Sequence, residues 1–345
     1  MSFSQLPLLF VLLAALALVL FLLVRHLRAD AGSATTTAAP RRAAASAHQP
    51  DAAGTNAASS IAPPIASWGY QLQKLDIGHA AASPYDLLVI DPTLDGTVDT
   101  ALTRADLARL QSRPDGQRRR VLAYLSIGEA ESYRAYWDNR WAHSKPDWLL
   151  GENPQWKQNY AVCFWNPDWQ GLMCGAPEAG LDRILASGFD GVYLDKCDVV
   201  DDLKRRYKDA AASRTDLEGD MVRFIAQLSD YAKARSPNFL VVMQNAESLL
   251  DRAGLRQCLD GAAKEELIYG GDGPEKLNAP ADLAQSRRLF DQMLADGKFV
   301  LAVEYLNDDA KIQHALATLR GFNYAPCISA KNRKLDRLDY DLVSV

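Results

Sequence analysis

Five short apolar runs in this sequence each end at an acidic side chain. In chain order these acids are Asp91, Glu129, Asp195, Glu265 and Glu304. If the runs are parallel strands of one barrel, their carboxyl ends share one rim and the acids meet there. Crowded carboxylates repel each other and shift each other's pKa values, a cost that a functional site explains. One carboxylate beside one protonated carboxyl is what hydrolysis of a glycosidic bond needs.

Two lysines adjoin these acids and leave other interpretations open. Lys196 follows Asp195 directly, and Lys264 precedes Glu265. Each lysine is expected to be the ion-pair partner of a neighbouring acid, although a lysine at the end of a barrel strand can also form a Schiff base with a carbonyl substrate. A single acid at a strand end is usually a structural group, but five on one rim favour a site.

The sequence lacks the usual patterns for metals, phosphates and nucleic acids. Its five histidines are scattered without a His-Glu-x-x-His motif. Neither a phosphate-binding loop nor a Gly-x-Ser-x-Gly nucleophile elbow is present. The net charge of −5 disfavours a nucleic-acid partner, because such proteins carry basic patches. We therefore expect no metal, no cofactor and no nucleic acid.

The five cysteines do not form a scaffold. They contain no Cys-x-x-Cys pair and no Cys/His spacing suited to zinc. We expect one disulfide at most, between Cys163 and Cys174.

Apolar, β-branched or aromatic runs alternate with segments of helical period from Trp68 onward. Residues 68–345, 278 in all, approach the roughly 250 of a (β/α)₈ barrel. Thr103 begins a capping-box-like pattern, and Gly188 follows a helical segment where a left-handed residue is favoured. A doubly wound open sheet would also alternate, but its glycine-rich phosphate loop is missing. The predicted strands are 68–73, 85–91, 120–127, 191–195, 239–245, 260–265, 299–305 and 322–328.

The first part of the chain differs in composition. Leu6–Val24 is nineteen residues without a charge, enough to span a hydrocarbon core of about 30 Å. We predict a membrane helix in residues 1–28 rather than a cleaved signal peptide, because no Lys or Arg precedes the run. Residues 29–66, rich in Ala, Ser, Thr and Pro, predict a disordered linker. The expected fold class is thus α/β, a (β/α)₈ barrel over 67–345 preceded by a transmembrane helix and a linker.

Tryptophan is concentrated between the third and fourth predicted strands. Six of the seven tryptophans fall within 33 residues there. Their rings could stack on the apolar faces of sugars, or they could form a small satellite core, and the sequence favours neither. The segment is too long for a simple crossover, and long loops at this rim usually shape a binding cleft. The six are Trp137, Trp141, Trp148, Trp156, Trp165 and Trp169.

Several segments carry a resemblance to a known family. They include Trp68-Gly69-Tyr70-Gln71-Leu72-Gln73, the run from Tyr85 to Asp91, Phe164-Trp165-Asn166-Pro167-Asp168-Trp169, and the run from Gly188 to Asp195. Together they resemble glycoside hydrolase family 114, over about residues 67–340. Further matching segments are 124–131, 244–247, 263–267 and 302–305.

The resemblance implies a fold, an activity and two catalytic positions. The family is similar to the α-galactosidase clan of barrels, and its named activity is endo-α-1,4-polygalactosaminidase. In that clan the nucleophile ends the fourth strand and the acid/base ends the sixth. This implies Asp195 as nucleophile and Glu265 as general acid/base, with Glu266 or Glu247 as the next choices for the acid. We expect double displacement with retention of configuration.

The remaining candidate site residues are expected to bind the substrate, a cationic galactosaminoglycan. Asp91, Glu129 and Asp198 would pair with the ammonium groups of deacetylated galactosamine. Tyr124 and Asn245 would hydrogen-bond sugar hydroxyls. The other candidates for substrate contacts are Trp165, Glu304 and Tyr305.

An alternative function is a membrane-tethered barrel that binds glycans without cleaving them. Acids at the ends of both the fourth and the sixth strand argue against it. Relatives that cleave cationic polysaccharide are mostly exported, so we expect a membrane-anchored barrel in the periplasm or outside the cell, or a secreted one after signal cleavage. The basic residues Arg25 and Arg28 after the apolar run conflict with that orientation under the positive-inside rule.

Overall fold

Eight parallel strands lie side by side in chain order in the computed structural model, which describes residues 65–339. The side chain of Trp68 on the first strand donates to the carbonyl of Ala325 on the last, at 3.0 Å, so the two edges nearly close a barrel. All eight strands fall on the predicted runs, and the predicted (β/α)₈ architecture agrees with this sheet. The strands are β1 (Trp68–Gln71), β2 (Leu87–Ile90), β3 (Arg120–Ser126), β7 (Gly191–Asp195), β8 (Leu240–Gln244), β9 (Gly261–Glu265), β10 (Phe299–Tyr305) and β11 (Ala325–Ser329).

Helices connect the strands and cover the outside of the sheet. The capping box at Thr103 is confirmed, since its hydroxyl accepts from the amide of Asp106 and the Asp106 carboxylate accepts from the amide of Thr103. Gly188 ends its helix with a φ of +96°, as predicted. The helices are α1 (Ile77–Ala82), α2 (Arg104–Leu110), α3 (Pro167–Met173), α4 (Gly180–Ser187), α5 (Val199–Arg206), α6 (Lys208–Ala212), α7 (Leu217–Arg235), α8 (Leu255–Cys258), α9 (Pro280–Ala295) and α10 (Asp309–Gly321).

Side chains of the barrel strands alternate between two cores. Successive residues of a strand point to opposite faces, so every second residue lies inside the barrel and the others pack under the helices. On β7, Tyr193 belongs to the interior cluster, whereas Val192 and Leu194 belong to the outer one. Because both faces are buried, these strands appear in the sequence as continuous apolar runs.

The segment between β3 and β7 adds a small antiparallel sheet at the carboxyl end of the barrel. It contains β4 (Glu129–Glu131), β5 (Leu149–Glu152) and β6 (Asn159–Val162), in the order β4-β6-β5. Gly128 makes the turn from β3 into this sheet. A Cβ there would lie 2.1 Å from the carbonyl oxygen of Lys196, so only glycine lets the turn approach the end of β7 this closely.

Most of the tryptophans of this segment form a satellite core. Trp137 packs on Trp141, Trp141 on Trp148, and Trp148 on Trp169, with ring centroids 5.0 to 5.2 Å apart. Trp156 is different, with 48% of its surface exposed. Of the two interpretations that the sequence left open, the satellite core applies to the four stacked rings.

Three expectations concern other parts of the chain. The predicted membrane helix at 6–24 and nearly all of the linker lie outside the described residues. Within residues 65–339 no helix is long and apolar enough to cross a membrane. The disulfide considered for Cys163 and Cys174 is absent, since both are free, buried thiols.

Arg119 is a fully buried cation that joins three elements. Its guanidinium donates to the carbonyls of Ala80 at 2.9 Å, Tyr85 at 2.9 Å and Leu110 at 3.0 Å, and also to Ser83. Two of these carbonyls lie at the ends of α1 and α2, where the last helical turn leaves acceptors without partners. Burial lowers the pKa of Arg119 to about 10.

Replacing Arg119 by Met is expected to lower the free energy of unfolding by about 2 to 4 kcal/mol, because several buried carbonyls lose their donor. Urea denaturation followed by circular dichroism measures this. Arg118→Met is the matched control, because the exposed Arg118 pairs with Asp190 at the surface, and we expect a change below about 1 kcal/mol. Equal losses in the two variants would contradict the role given to Arg119.

Candidate active site

A cleft of about 570 Å³ opens at the carboxyl ends of the barrel strands. Strand ends supply most of its floor, and the loops after them supply the walls, as in other barrels of this type. Eight of the ten predicted site residues line it. They are Asp91, Tyr124, Glu129, Asp195, Asp198, Asn245, Glu265 and Tyr305.

Asp195, the last residue of β7, points into this cleft. It lies two residues after Tyr193 and therefore on the inward side of the strand. The hydroxyl of Tyr124 donates to its Oδ2 at 2.6 Å, and the backbone amide of Lys196 donates to its Oδ1 at 2.7 Å. Both oxygens are thus fixed by donors that favour the ionised carboxylate.

The electrostatic setting of Asp195 nevertheless favours its protonated form. Burial raises the pKa of this carboxyl to about 7, and the negative charges of Glu265 and Asp198 act in the same direction. The ammonium of Lys196 and the hydroxyl of Tyr124 lower the pKa but do not offset the loss of water. Asp195 therefore titrates near neutral pH, which is the range where an acid or base is useful to catalysis.

Glu265 ends β9 and also lies on the inward side, two residues after the interior Ala263. The hydroxyl of Tyr305 donates to its Oε1, and Nδ2 of Asn245 donates to its Oε2 at 3.1 Å. The amide of Glu265 donates back to the side-chain oxygen of Asn245 at 3.2 Å. Asn245 and Tyr305 were predicted to contact substrate, and the structure shows that they also hold Glu265.

Four tyrosines form the surface beneath the two acids, which we call the tyrosine floor (Tyr70, Tyr124, Tyr193 and Tyr305). The rings of Tyr70 and Tyr193 are 5.3 Å apart inside the barrel. Burial first, and the charges of Asp195 and Glu265 with it, raise the pKa values of both. These buried rings keep water away from the underside of the acids. The hydroxyl of Tyr124 donates to Asp195, and the hydroxyl of Tyr305 donates to Glu265.

Three residues directly after the strands of the site have left-handed backbones. They are Lys196 after β7, Asn245 after β8 and Glu266 after β9, with φ of +61°, +55° and +55°. A non-glycine residue in this region costs free energy and is frequent at functional sites. The left-handed conformation of Lys196 directs its backbone amide toward Asp195. The strained conformation and the hydrogen bond to the acid therefore occur together.

The two lysines that left a Schiff base open are ion-pair partners, as expected. Nζ of Lys196 lies 3.4 Å from Glu129, and Nζ of Lys264 lies 3.0 Å from Glu247. Burial lowers the pKa of Lys196, but the nearby carboxylates raise it further, so it stays charged. Glu247 faces Lys264 rather than the cleft, which leaves Glu266 as the alternative acid within it.

Two of the acids expected to bind ammonium groups already have cationic partners in the protein. The carboxylate of Asp91 forms a bidentate ion pair with both terminal nitrogens of Arg134, at 2.9 and 2.7 Å. Glu129 pairs with Lys196 and accepts from Asn153 at 2.8 Å. These acids line the cleft, but their main contacts are internal, which sequence alone did not reveal.

Trp165 and Glu304 are not brought into the cleft. Glu304 lies between the interior residues Val303 and Tyr305 of β10 and so points outward, where it accepts from the amides of Ile268 and Tyr269 at 2.7 and 3.0 Å. Burial raises its pKa to about 8. Trp165 is half-buried against Phe164 and the guanidinium of Arg214. The predicted substrate contacts of these two residues have no support in their positions.

The structure adds residues that the sequence analysis missed. Glu131 and Tyr133 of the β4 region line the cleft, and Glu131 binds Arg134 at 2.7 Å. Glu131 lies in one of the segments that resemble the family, so that signal was present. Arg333 reaches the cleft from beyond β11 and pairs with Glu266. No pattern in the sequence marked Arg333.

Comparison with known proteins identifies the family of this chain. The model of glycoside-hydrolase family GH114 matches residues 49–339. The chain belongs to this family. The resemblance seen in the sequence is confirmed, and the chain is accordingly a glycoside hydrolase.

Two relatives and one solved structure illustrate the match. The uncharacterized protein MJ1477 of Methanocaldococcus jannaschii is 35% identical over 283 residues, which cover 79% of this chain and 78% of the relative. An uncharacterized protein of Thermotoga maritima is 30% identical over 71% of this chain and 72% of its own. The glycoside hydrolase domain of PelA from Pseudomonas aeruginosa has the same fold, with a TM-score of 0.57, 19% identity, and coverage of 79% of this chain and 97% of that domain.

The raised pKa of Asp195 predicts how its removal affects stability. A carboxyl whose pKa is raised on folding destabilises the folded state when it is ionised. The free energy of unfolding that Asp195 costs the protein therefore grows as the pH rises from about 4 to about 7. Asp195→Asn is expected to increase the free energy of unfolding at pH 8 by about 2 to 4 kcal/mol, and by much less at pH 4. Denaturant titrations at both pH values test this, and an equal effect at the two would contradict it.

Proposed function

We propose that this glycoside hydrolase cleaves internal α-1,4 linkages of galactosamine-containing polysaccharide by a retaining mechanism. The observation that carries the proposal is the placement of Asp195 and Glu265, which end β7 and β9 on the inward side and line one cleft. Family membership supports cleavage of a glycosidic bond. The choice of galactosamine rests on the activity that the sequence resemblance implies.

In the first step, Asp195 is the nucleophile. Its ionised carboxylate attacks the anomeric carbon and forms a glycosyl-enzyme, while protonated Glu265 gives its proton to the leaving oxygen. The donors on both oxygens of Asp195 fix the direction of attack. Tyr305 and Asn245 fix the direction in which Glu265 delivers its proton.

In the second step, Glu265 acts as base. It removes a proton from water, and the resulting hydroxide attacks the anomeric carbon of the glycosyl-enzyme and releases Asp195 as a carboxylate. Two inversions at the same carbon leave the configuration unchanged. The first product formed is therefore the α-anomer.

Protonation of the two acids must be ordered before the first step. Burial and the negative charges of Glu265 and Asp198 favour the protonated form of Asp195. The Lys196 ammonium, the Tyr124 hydroxyl and the Lys196 amide favour the opposite arrangement. A positively charged amino sugar beside Asp195 would lower the pKa of this acid further, so a deacetylated substrate suits the mechanism.

Endo-cleavage is tested by incubating the full-length chain with partially deacetylated α-1,4-galactosaminogalactan. We expect the polymer to become shorter, which size-exclusion chromatography measures, and the α-anomer to be released, which proton NMR detects. Asp195→Asn and Glu265→Gln are each expected to stay folded and to lose at least about a thousandfold in kcat. Tight binding of the polymer without shortening by the wild type would favour the non-catalytic glycan-binding barrel instead.

The pH profile tests which acid has which role. Because Asp195 must be ionised and Glu265 protonated in the first step, kcat/KM is expected to rise with pH and then fall, with Asp195 titrating near pH 7 in the free enzyme. A profile that falls above about pH 7, with no rise toward it, would instead make Asp195 the general acid. Initial rates with the same polymer between pH 4 and pH 9 measure this.

A further inference from the structure

One exposed aromatic ring stands at the wall of the cleft without a packing role. Trp156 lies in the turn between β5 and β6, and 48% of its surface is exposed. It lines the cleft, whereas the four stacked tryptophans of the same segment pack on each other. An exposed tryptophan at the wall of a carbohydrate cleft offers a flat apolar face for the C–H side of a sugar and attracts cations to that face.

Two residues that line the same cleft each carry a buried acceptor atom without a partner. Oδ1 of Asn159 and Oδ1 of Asp198 are buried, and within residues 65–339 neither has a hydrogen-bond partner. Both residues line the cleft, and the amide of Asn159 donates to the carbonyl of Trp156 at 3.3 Å. A buried acceptor without a donor costs free energy, so a ligand that brings N–H or O–H groups to these atoms is favoured.

The turn that carries Trp156 is fixed by contacts that lead to the nucleophile. Oδ1 of Asn153 accepts from the amides of Gln155 at 3.0 Å and Trp156 at 3.4 Å, and Nδ2 of Asn153 donates to Glu129 at 2.8 Å. Glu129 in turn pairs with Lys196, whose amide holds Asp195. The backbone of the turn that carries the ring is thus held in a defined position relative to Asp195.

We propose that Trp156, Asn159 and Asp198 form a sugar-binding subsite that holds an amino sugar unit of the chain away from the bond being cleaved. Trp156 stacks on the ring, and the two free acceptors take its hydroxyl and ammonium hydrogens. The inference rests on the proposed function, since it places that substrate in the cleft. It assigns the subsite a role in binding and in the choice of chain length, not in bond cleavage.

The kinetic test uses α-1,4-linked galactosamine oligomers of increasing length with the full-length chain. Trp156→Ala is expected to raise KM about tenfold for long oligomers, to leave kcat unchanged, and to leave the shortest cleaved oligomer unaffected. Trp156→Phe keeps a stacking face and should retain most of the affinity. Leu277→Ala is the control, because Leu277 is also an exposed apolar residue but does not line the cleft, and its kinetics should equal those of the wild type.

The unpaired acceptors predict a preference for deacetylated sugar. Asp198→Asn is expected to reduce the preference for deacetylated over fully N-acetylated oligomers, measured as the ratio of their kcat/KM values, in which an effect of the lost charge on Asp195 cancels. Trp156→Ala kinetics equal to those of the wild type at every length would overturn the subsite while leaving the proposed function intact.

A binding test separates the subsite from catalysis. Asp195→Asn, which is expected not to cleave, is titrated with the same deacetylated oligomers, and quenching of tryptophan fluorescence is followed. Quenching that disappears in the Asp195→Asn, Trp156→Ala double variant supports the subsite even if the wild type cleaves none of these oligomers, a result that would overturn the proposed function alone. Equal affinity with and without Trp156, or no binding at all, would overturn the subsite.

Discussion

The structure of the cleft depends on keeping one carboxyl, Asp195, in a place where its ionisation is costly. A carboxylate at the end of a barrel strand, above the tyrosine floor, loses much of its water, and a second acid, Glu265, adds repulsion. The protein compensates with the Lys196 ammonium and with two donors rather than with solvent, namely the Tyr124 hydroxyl and the Lys196 amide. A charge held by fixed dipoles reacts without reorganising water, which is the main source of electrostatic catalysis.

Other acids at the rim are neutralised by ion pairs with basic side chains. Asp91 and Glu131 bind Arg134, Glu129 binds Lys196, and Glu266 binds Arg333. These pairs keep most of the rim charge from adding to the repulsion at Asp195, and they fix the loops that bear them. The cleft consequently combines two acids held mainly by neutral donors with a surrounding layer of paired charges.

The insertion between β3 and β7 combines a structural and a ligand-facing part. Its stacked tryptophans pack on one another, and two of them, Trp148 and Trp169, also belong to the outer core of the barrel. Gly128 allows this sheet to approach Lys196 closely enough for Glu129 to pair with its ammonium. The same sheet presents Trp156 at the cleft wall, so the segment that shapes the catalytic environment also shapes the space for the polymer.

The sequence by itself determined the barrel and marked the two acids that the proposed mechanism uses. Strands buried on both faces must be continuous apolar runs, and the acids that end such runs are visible without a structure. Sequence could not assign each acid to a face with certainty at a strand end, so Glu304 was placed in the cleft although its position on β10 turns it outward. The partners of Asp91 and Glu129, the contribution of Arg333, and the difference between Trp156 and Trp165 were decided by tertiary structure. Each of these depends on contacts between segments far apart in the chain. The local pattern of residues does not predict which distant side chain will contact a given acid or ring.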